Sequence, residues 1–360
     1  MTRPIPAIVF LALCFGPPAR SQAGSPYPPS AVFSGITWHW ETLRQAAPGS
    51  DLWPVTWAAD GSIYAAWGDG GGFGGTDSDG RVAMGFARIQ GGPEDYRAAN
   101  VNGGKNPEHP ASFPKHGKTG GILAVGSTLY AWVNLQDGKW PDVDVALEWS
   151  KDGGATWTQS SCRFSKGEGY IKPGTFLNFG RGYAGVPEHL KGFVYFYAFR
   201  QGDETRTFLG RAPETKIQER GAYQYFTGLA SGKPQWSEHE RMATPVFEDA
   251  NGADATVGYD PALKRYLVTA FHTGPGQLGV FEGPEPWGPW RTVAYYEKWG
   301  GMRSAGEGLT CSFPQKWMSA DGLTLWCVFS AYGPGAKEGI HAHDRFNLVK
   351  VTLRRRRCRT

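Results

Sequence analysis

The sequence contains one pair of carboxylates whose spacing suits acid–base chemistry. Asp51 and Asp69 stand at the outer ends of two apolar runs in GSDLWPVTWAADGSIYAAWGDGGGFGG, each nine residues from Asp60, where an Asp-Gly turn reverses the chain. In an antiparallel hairpin centred on that turn the two aspartates face each other, with backbones about 5 Å apart. Two such carboxyls favour one neutral acid beside one ionised carboxylate, which is the pair that glycoside hydrolysis uses.

The distance between the two carboxyl groups would decide the stereochemistry of that reaction. About 5 Å suits a retaining double displacement, and about 6.5–9.5 Å suits inversion. The sequence does not fix side-chain directions, so both mechanisms stay open, as does the choice of acid. A structural role is the alternative for either aspartate, because Asp and Gly also cap turns at strand ends.

Internal repeats indicate the frame that holds this hairpin. An apolar run, a tight turn, an aromatic run and a second pair of strands recur five times, from about residues 53, 120, 175, 255 and 312. The 51 glycines and the aromatic content of 14% suit short strands and tight turns. We therefore predict an all-β fold, a single five-bladed β-propeller of the glycosidase/sialidase-like kind. Helix signals are weak, and only Glu41–Ala47 is predicted to form one short helical turn.

The N-terminus predicts export. MTRPIPAIVFLALCFGPPARSQAGS has one arginine, an apolar stretch at Ala7–Phe15 and small residues before Gly24, which is typical of a signal peptide over residues 1–23, cleaved after Ala23. That stretch is too short to span a bilayer, so we expect a secreted or periplasmic protein without a membrane span. We expect the propeller over residues 24–353 and a solvated basic tail over residues 354–360.

Charge and cysteine content argue against several classes of protein. The net charge is +4, but the last seven residues hold five arginines, so the body is nearly neutral and no basic stripe for nucleic acid is visible. No cysteine pair has metal-ligand spacing, so we expect no metal site and no cofactor, leaving open only a structural calcium ion in the central channel.

Four cysteines follow the predicted cleavage site: Cys162, Cys311, Cys327 and Cys358. A hairpin around residues 319–322 would place Cys327 opposite Gln315, about 13 Å from Cys311 at the usual strand rise. That distance argues against a disulfide between them. The connectivity stays open.

Residues 150–157, SKDGGATW, fit the Asp box, S-x-D-x-G-x-T-W, of propeller blades. Asp152 is expected to accept backbone hydrogen bonds in a turn between outer strands, and Trp157 to pack between sheets. The motif is specific for architecture and indicates nothing about chemistry.

Other polar and aromatic residues are expected near the mouth of the channel, where we predict substrate contacts. Trp53 is predicted to form a sugar-stacking platform, with packing between blades as its alternative. Asn102 and Lys105 fall in a Gly-rich loop between the first two blades, and Lys118 precedes the second inner strand. The predicted substrate-binding set also includes Asp254, His272 and Glu307. Turn caps and solvated strand ends are the alternative roles for Lys118 and these three residues. His341 and His343 in GIHAHD are interpreted as loop residues rather than metal ligands.

Residues 49–75, together with NVNGGKN (100–106) and GKTGG (117–121), resemble a secreted five-bladed propeller family of unknown-function domains (DUF4185-like). Characterised relatives of that family include endo-D-arabinanases, which cleave arabinofuranose polymers. The resemblance covers roughly residues 35–353, and Asp51 and Asp69 match the family's two acidic active-site positions at the same spacing. It implies a propeller, a site at the channel mouth and glycosidase chemistry. The Trp- and Gly-rich surroundings indicate a different branch, in which the sugar need not be D-arabinan.

The leading interpretation is a secreted, monomeric glycoside hydrolase that acts on a poly- or oligosaccharide through Asp51 and Asp69. A non-catalytic carbohydrate-binding propeller is the alternative, although such proteins usually repeat one pocket in every blade and the acidic pair occurs once here. A sialidase would need an arginine triad at the mouth, and Arg88, Arg181 and Arg200 do not occupy the required position. A purely structural or protein-binding propeller stays open.

Overall fold

The computed structural model describes residues 24–356 apart from 107, 110–116, 136–143, 166–169, 251, 253–254, 272–276, 302–307 and 332–341. The described strands, in chain order, are β1 (Phe33–Ala46), β2 (Asp51–Trp57), β3 (Ile63–Gly68), β4 (Met84–Gln90), β5 (Arg97–Asn102), β6 (Gly117–Val125), β7 (Thr128–Leu135), β8 (Asp144–Ser150), β9 (Thr158–Phe164), β10 (Ile171–Phe176), β11 (Phe193–Arg200), β12 (Asp203–Pro213), β13 (Gln224–Ala230), β14 (Lys233–Ser237), β15 (Pro245–Glu248), β16 (Thr256–Asp260), β17 (Arg265–Ala270), β18 (Leu278–Gly283), β19 (Arg291–Tyr296), β20 (Gly308–Ser312), β21 (Thr324–Ala331) and β22 (Phe346–Arg355).

Short 3-10 turns connect some of these strands, at Arg181–Tyr183, Glu188–Leu190, Glu214–Lys216, Arg220–Ala222, Glu240–Met242, Trp299–Gly301 and Gln315–Trp317. No helix in the described part of the chain has the length and apolar character needed to cross a bilayer.

The strands form five sheets, which are the blades of the predicted propeller. Blade I is β2–β5, blade II is β6–β9, blade III is β10–β14 with β15 paired to β12, and blade IV is β16–β19. Blade V is ordered β20-β21-β22-β1, so its outermost strand comes from the start of the described chain. The innermost strands β2, β6, β10, β16 and β20 contact one another around the central channel. The prediction of a single five-bladed propeller is therefore confirmed.

Two predictions about the chain ends need correction. Glu41–Ala47 does not form a helical turn, because β1 runs through Ala46 and pairs antiparallel with β22, Trp38 opposite Val351 and Ala46 opposite Phe346. Trp38 and Trp40 also pack edge-on against Trp299, with ring centroids 4.9 and 5.3 Å away. β22 continues to Arg355, so the expected domain boundary at residue 353 falls inside this strand.

Aromatic side chains fill the spaces between blades. Trp132 of blade II stacks on Phe176 of blade III at 4.9 Å, and Trp157 of blade II stacks on Phe86 of blade I at 4.0 Å. Large rings bury much apolar surface and gain from such stacked and edge-on contacts. This packing fixes the blades relative to one another and thus fixes the ends of their inner strands.

The turn that precedes β9 carries the SKDGGATW motif. Asp152 accepts hydrogen bonds from the backbone N–H of Thr156 at 3.0 Å and from the hydroxyl of Ser150 at 2.8 Å. The indole N–H of Trp157 donates to the carbonyl of Gly154 at 2.9 Å. These contacts close the turn and aim Trp157 at the neighbouring blade.

The inner strands bend at a similar level near the channel mouth. Pairing with the second strand shifts between Leu52 and Val55 in β2, between Thr119 and Gly121 in β6, and between Pro173 and Thr175 in β10. The pairing of β20 shifts between Gly308 and Thr310. Such bulges re-aim side chains at the rims of barrels and next to active sites. They determine where the first residues of β2, β6, β10 and β20 point.

The expected separation of Cys311 and Cys327 was wrong. Cys311 pairs with Phe329 across β20 and β21. In this register the position opposite Cys327 is that of Phe313 instead of Gln315. This two-residue difference in register makes the cysteines diagonal neighbours on one face of the sheet, and their sulfur atoms lie 2.7 Å apart.

Candidate active site

The hairpin that carries Asp51 and Asp69 follows the predicted register only near its turn. Trp57 pairs with Ile63 and Val55 with Ala65, as a centre at Asp60 requires. The bulge at residues 53–54 then shifts the pairing by one residue, so Asp51 faces Gly68 instead of Asp69. Leu52 and Trp53 adopt left-handed φ angles of 71° and 63° within this bulge. The two aspartates still lie at the channel mouth, but they are offset by one residue and do not face each other directly.

Gly68 provides the space that Asp51 occupies. A Cβ at position 68 would lie 2.5 Å from Oδ1 of Asp51 and 3.2 Å from Cδ of Lys118. That Oδ1 is buried and has no hydrogen-bond partner among the described residues. Gly68 thus leaves room for a carboxyl oxygen that makes no hydrogen bond to the described protein.

The electrostatic surroundings of Asp51 favour its neutral form. Its pKa is raised to about 7, chiefly by burial; the charge of Lys118 opposes this rise, the charges of Asp69 and Asp344 add to it, and that of Arg81 opposes it. Desolvation is the largest cause, because a charge removed from water is costly. At neutral pH a large fraction of Asp51 therefore carries its proton.

Asp69 lies in a different environment. Its Oδ1 is paired with the ammonium group of Lys118, and its Oδ2 lies 3.3 Å from the guanidinium of Arg81. Lys118 also donates to the carbonyl of Ala83 at 2.9 Å, and the backbone N–H of Asp69 donates to the same carbonyl at 3.1 Å. The Asp69 side chain is 40% exposed, compared with 19% for Lys118. Asp69 is therefore an ion-paired carboxylate that solvent or a ligand can reach.

A third carboxylate, Asp344, approaches this pair from blade V. Its backbone N–H donates to Ala331 at 2.7 Å, and its carbonyl accepts from Gly49 at 2.8 Å. The ring of His343 lies 3.3 Å from its Oδ2. Burial raises the pKa of Asp344; His343 lowers it, and the charges of Asp69 and Asp77 raise it.

Asp344 and Arg81 were not among the predicted site residues. The GIHAHD segment was interpreted as a loop instead of a metal site, and local sequence does not reveal that residues 342–345 return to the start of β2. Arg81 is four residues after Asp77, to which it is ion-paired, and this i,i+4 spacing was the one available signal.

A glycine-rich loop, residues 69–83, holds Asp69 and Arg81 in place. The hydroxyl of Ser50 accepts a hydrogen bond from the N–H of Gly72 at 3.0 Å. The side chain of Asn100 accepts from Phe73 at 2.9 Å and donates to Gly71 at 3.0 Å. The loop is therefore anchored to Ser50, the residue before the first strand of blade I, and to the last strand of that blade.

Trp53 does not form the predicted sugar platform. It is fully buried, stacks on Trp67 at 5.7 Å and meets Phe346 edge-on at 5.2 Å. Its indole N–H donates to the carbonyl of Ser50 at 3.0 Å. The bulge turns this ring into the space between blades, which was the alternative interpretation, and the prediction of sugar stacking is wrong.

The other predicted contacts divide into three groups. Asn102 is buried on β5, the outermost strand of blade I, and donates to Ala155 at 2.8 Å, so its predicted place in a loop over the channel is wrong. Lys105 forms an exposed ion pair of 2.7 Å with Asp79 in the glycine-rich loop, and Lys118 lies beside the aspartates. A substrate contact stays a prediction for both lysines. The remaining three fall outside the described residues: Asp254, His272 and Glu307.

Within the described residues there is no group of three or more His, Cys, Asp or Glu side chains arranged to hold a metal ion. The chemistry of the mouth is instead that of carboxylates and their cations: Asp51, Asp69 and Asp344 with Lys118, Arg81 and His343. This set can donate a proton from one carboxyl while a second carboxyl stays ionised.

Comparison with known proteins places the chain in a family. Residues 122–308 match the model for the "Domain of unknown function (DUF4185)". The chain belongs to the DUF4185 family. The matched segment begins in β6 and ends at the start of β20, so it covers blades II to IV and contains none of the three aspartates. No curated protein matches the sequence.

Several solved structures are similar to the chain at low sequence identity. A "putative hydrolase" from Bacteroides ovatus is 13% identical, with a TM-score of 0.53 over 84% of this chain and 85% of its own. This likeness shows the fold alone. The catalytic domain of a GH62 α-L-arabinofuranosidase from Coprinopsis cinerea is 11% identical, with a TM-score of 0.46 over 89% of this chain and 98% of its own. Zg3597, a family 117 glycoside hydrolase from Zobellia galactanivorans, is 11% identical, with a TM-score of 0.45 over 89% of this chain and 90% of its own.

Proposed function

We propose that this DUF4185 protein is a secreted glycoside hydrolase that cleaves a poly- or oligosaccharide with Asp51 and Asp69. One observation carries the proposal: a half-buried aspartate with a pKa of about 7 lies near an ion-paired aspartate at the mouth of a propeller channel. Retaining and inverting glycosidases both need one carboxyl that donates a proton and one that is ionised. The different surroundings of the two aspartates supply both forms at neutral pH.

Asp51 is assigned as the general acid. Its pKa of about 7 means that it carries a proton near neutral pH, and no group of the described protein accepts a hydrogen bond at the buried Oδ1. Transfer of that proton lets the bond between the anomeric carbon and the leaving oxygen break without release of an alkoxide. Asp51 is left ionised, and Lys118 and Arg81, the two cations that lower its pKa, stabilise that charge.

Asp69 is assigned as the second carboxylate. In a retaining reaction it attacks the anomeric carbon, and in an inverting one it accepts a proton from the attacking water. Lys118 and Arg81 orient its oxygens from two sides, and the anchored glycine-rich loop fixes its backbone. A positioned carboxylate of this kind also stabilises the positive charge that develops on the sugar in the transition state.

The substrate class is proposed from the resemblance in residues 49–75. Characterised relatives of the resembled family include endo-D-arabinanases, which cleave arabinofuranose polymers, so an arabinofuranose-containing glycan is the first substrate to test. Export after cleavage near Ala23 belongs to the same proposal, because a polymeric substrate is met outside the cytoplasm.

The test is hydrolysis by the mature protein, from Gly24 onward, of a panel of furanose- and pyranose-containing polysaccharides, measured as new reducing ends. Asp51→Asn and Asp69→Asn are each expected to lower the rate by about 100-fold or more. Asp79→Asn is the matched control, since Asp79 lies in the same loop and pairs only with exposed Lys105 among the described residues. Circular dichroism and melting curves show whether each variant is folded.

The opposite outcome is equally specific. If the folded wild type binds a glycan in calorimetry but releases no reducing ends from it, and neither Asn variant changes that binding, the protein is a carbohydrate-binding propeller. The two aspartates then have only a structural role, at the strand ends of the hairpin.

A further inference from the structure

The closing blade contains two cysteines in contact. Cys311 lies on the innermost strand β20 and Cys327 on its neighbour β21, and both are buried. Their sulfur atoms are 2.7 Å apart. This distance lies well inside the contact distance of two unbonded sulfur atoms, so two separate thiols would repel each other here. A covalent sulfur–sulfur bond removes that repulsion and requires only a small further approach.

The register of the two strands makes this contact a property of the fold. Cys311 is directly opposite Phe329, and Cys327 lies two residues from Phe329 along β21, so both side chains point to the same face of the sheet. The third described cysteine, Cys162, is also buried, but it lies on β9 of blade II beside Tyr223 and Arg220. It offers a natural comparison, a buried thiol that lies in a different blade from the pair.

We propose that Cys311 and Cys327 form a disulfide that joins β20 to β21 in the mature protein. The oxidant is a disulfide of the exporting compartment, either a small molecule or a protein. One cysteine thiolate attacks that disulfide and releases a thiol, and the second cysteine thiolate then attacks the mixed disulfide and releases the other. The two cysteines lose two electrons and two protons in total, and the oxidant is reduced to two thiols.

The bond forms before blade V is complete. Burial raises the pKa of the Cys327 thiol well above its usual value, and the adjacent Cys311 sulfur raises it further. The thiolate needed for exchange is therefore scarce once the blade has packed. The same burial then protects the finished disulfide from external thiols.

The proposed cross-link has a structural consequence at the channel. β20 contacts the inner strands β2 and β16, and β21 pairs with β22, which in turn pairs with β1. A bond between β20 and β21 therefore fixes the inner edge of the blade that closes the ring. The bond also restricts the conformations of the unfolded chain, and this loss of unfolded-state entropy raises the melting temperature.

The test uses the full mature chain, folded either in a glutathione redox buffer or in dithiothreitol, then denatured, alkylated with iodoacetamide and digested with trypsin. Trypsin cleaves after Lys316, between the two cysteines, so the disulfide appears as one linked pair of peptides in mass spectrometry. The oxidised protein is expected to give this linked pair, with Cys162 alkylated. Recovery of both Cys311 and Cys327 as alkylated residues from the oxidised protein, or linkage of either to Cys162 or Cys358, overturns the proposal.

Melting curves provide the second readout. Folding in dithiothreitol instead of the glutathione buffer is expected to lower the melting temperature of the wild type and of Cys162→Ala, and to leave that of the double variant Cys311→Ala, Cys327→Ala unchanged. An equal effect of reductant on the double variant contradicts the proposal. The outcome is independent of glycosidase activity, because neither cysteine belongs to the aspartate site.

Discussion

At the scale of single residues, the site separates two chemically identical side chains by their surroundings. Asp51 is desolvated and has one oxygen without a described partner, whereas Asp69 is held between two cations. Burial is the largest influence on Asp51, and the individual charges around it adjust its pKa in opposite directions. Those opposing influences can be tested one at a time.

Lys118→Met is expected to raise the pKa of Asp51, because it removes the positive charge that lowers this pKa most. A general acid must be protonated, so the alkaline limb of kcat/KM moves to higher pH. Asp344→Asn removes a charge that raises the pKa of Asp51 and should move the limb to lower pH. Lys191→Met, which breaks an exposed ion pair with Glu188 in blade III, is the control. If the alkaline limb of kcat/KM moves in the same direction in Lys118→Met and in Asp344→Asn, this electrostatic explanation is wrong.

Asp51→Asn is expected to stabilise the protein at alkaline pH. The folded pKa of about 7 exceeds the ordinary value of 3.8, so the folded state holds a proton that the unfolded state loses, and wild-type stability falls between about pH 4 and pH 7. An amide has no charge to bury. The melting temperature of the variant should therefore exceed that of the wild type by a few degrees at pH 8 and match it near pH 3.5. Equal melting curves at pH 8 would show that the burial of Asp51 is not costly.

At the scale of elements, the site depends on a strand pairing that changes along one hairpin. The Asp-Gly turn predicts the pairs next to it, and alternation predicts which side chains enter the core. The bulge at residues 53–54 is not visible in the sequence, because the left-handed φ angles fall on Leu52 and Trp53 instead of glycine. For that reason the proximity of Asp51 and Asp69 was predictable, whereas their one-residue offset and the burial of Trp53 were not.

Gly68→Ala tests the space that this pairing leaves for Asp51. Gly68 has no left-handed φ, so the backbone accepts alanine, but the new methyl group would lie 2.5 Å from Oδ1 of Asp51 and 3.2 Å from Lys118. We expect a loss of activity of about 10-fold or more with a small change in melting temperature. Gly258→Ala on inner strand β16 is the control, since its methyl group would come no closer than 3.7 Å to a neighbour. Comparable activity of the two variants would mean that Asp51 does not act from its observed position.

At the scale of the whole molecule, distant parts of the sequence meet at the site. Gly49, just before β2, is hydrogen-bonded to Asp344 of blade V, and β1 forms the outer strand of the same blade. Repeated units predict the number of blades, since each unit has a local pattern. They do not predict which end of the chain completes the last blade. Asp344 was missed for the same reason, because its approach to Asp69 depends on ring closure.

Removal of the closing strand therefore tests whether the site depends on the ring. A chain that starts at Ala47 lacks β1, so the outer edge of β22 is unpaired, and Trp38 and Trp40 no longer cover Trp299. We expect the loss of cooperative thermal unfolding and of glycan hydrolysis together, since blade V carries both Asp344 and the strand that borders β2. A chain that ends at Arg356 keeps all of β22 and is the matched truncation, expected to melt like the wild type. If the chain without β1 still melts cooperatively and hydrolyses glycan, blades I to IV position the aspartates by themselves, and the contact between Gly49 and Asp344 is dispensable.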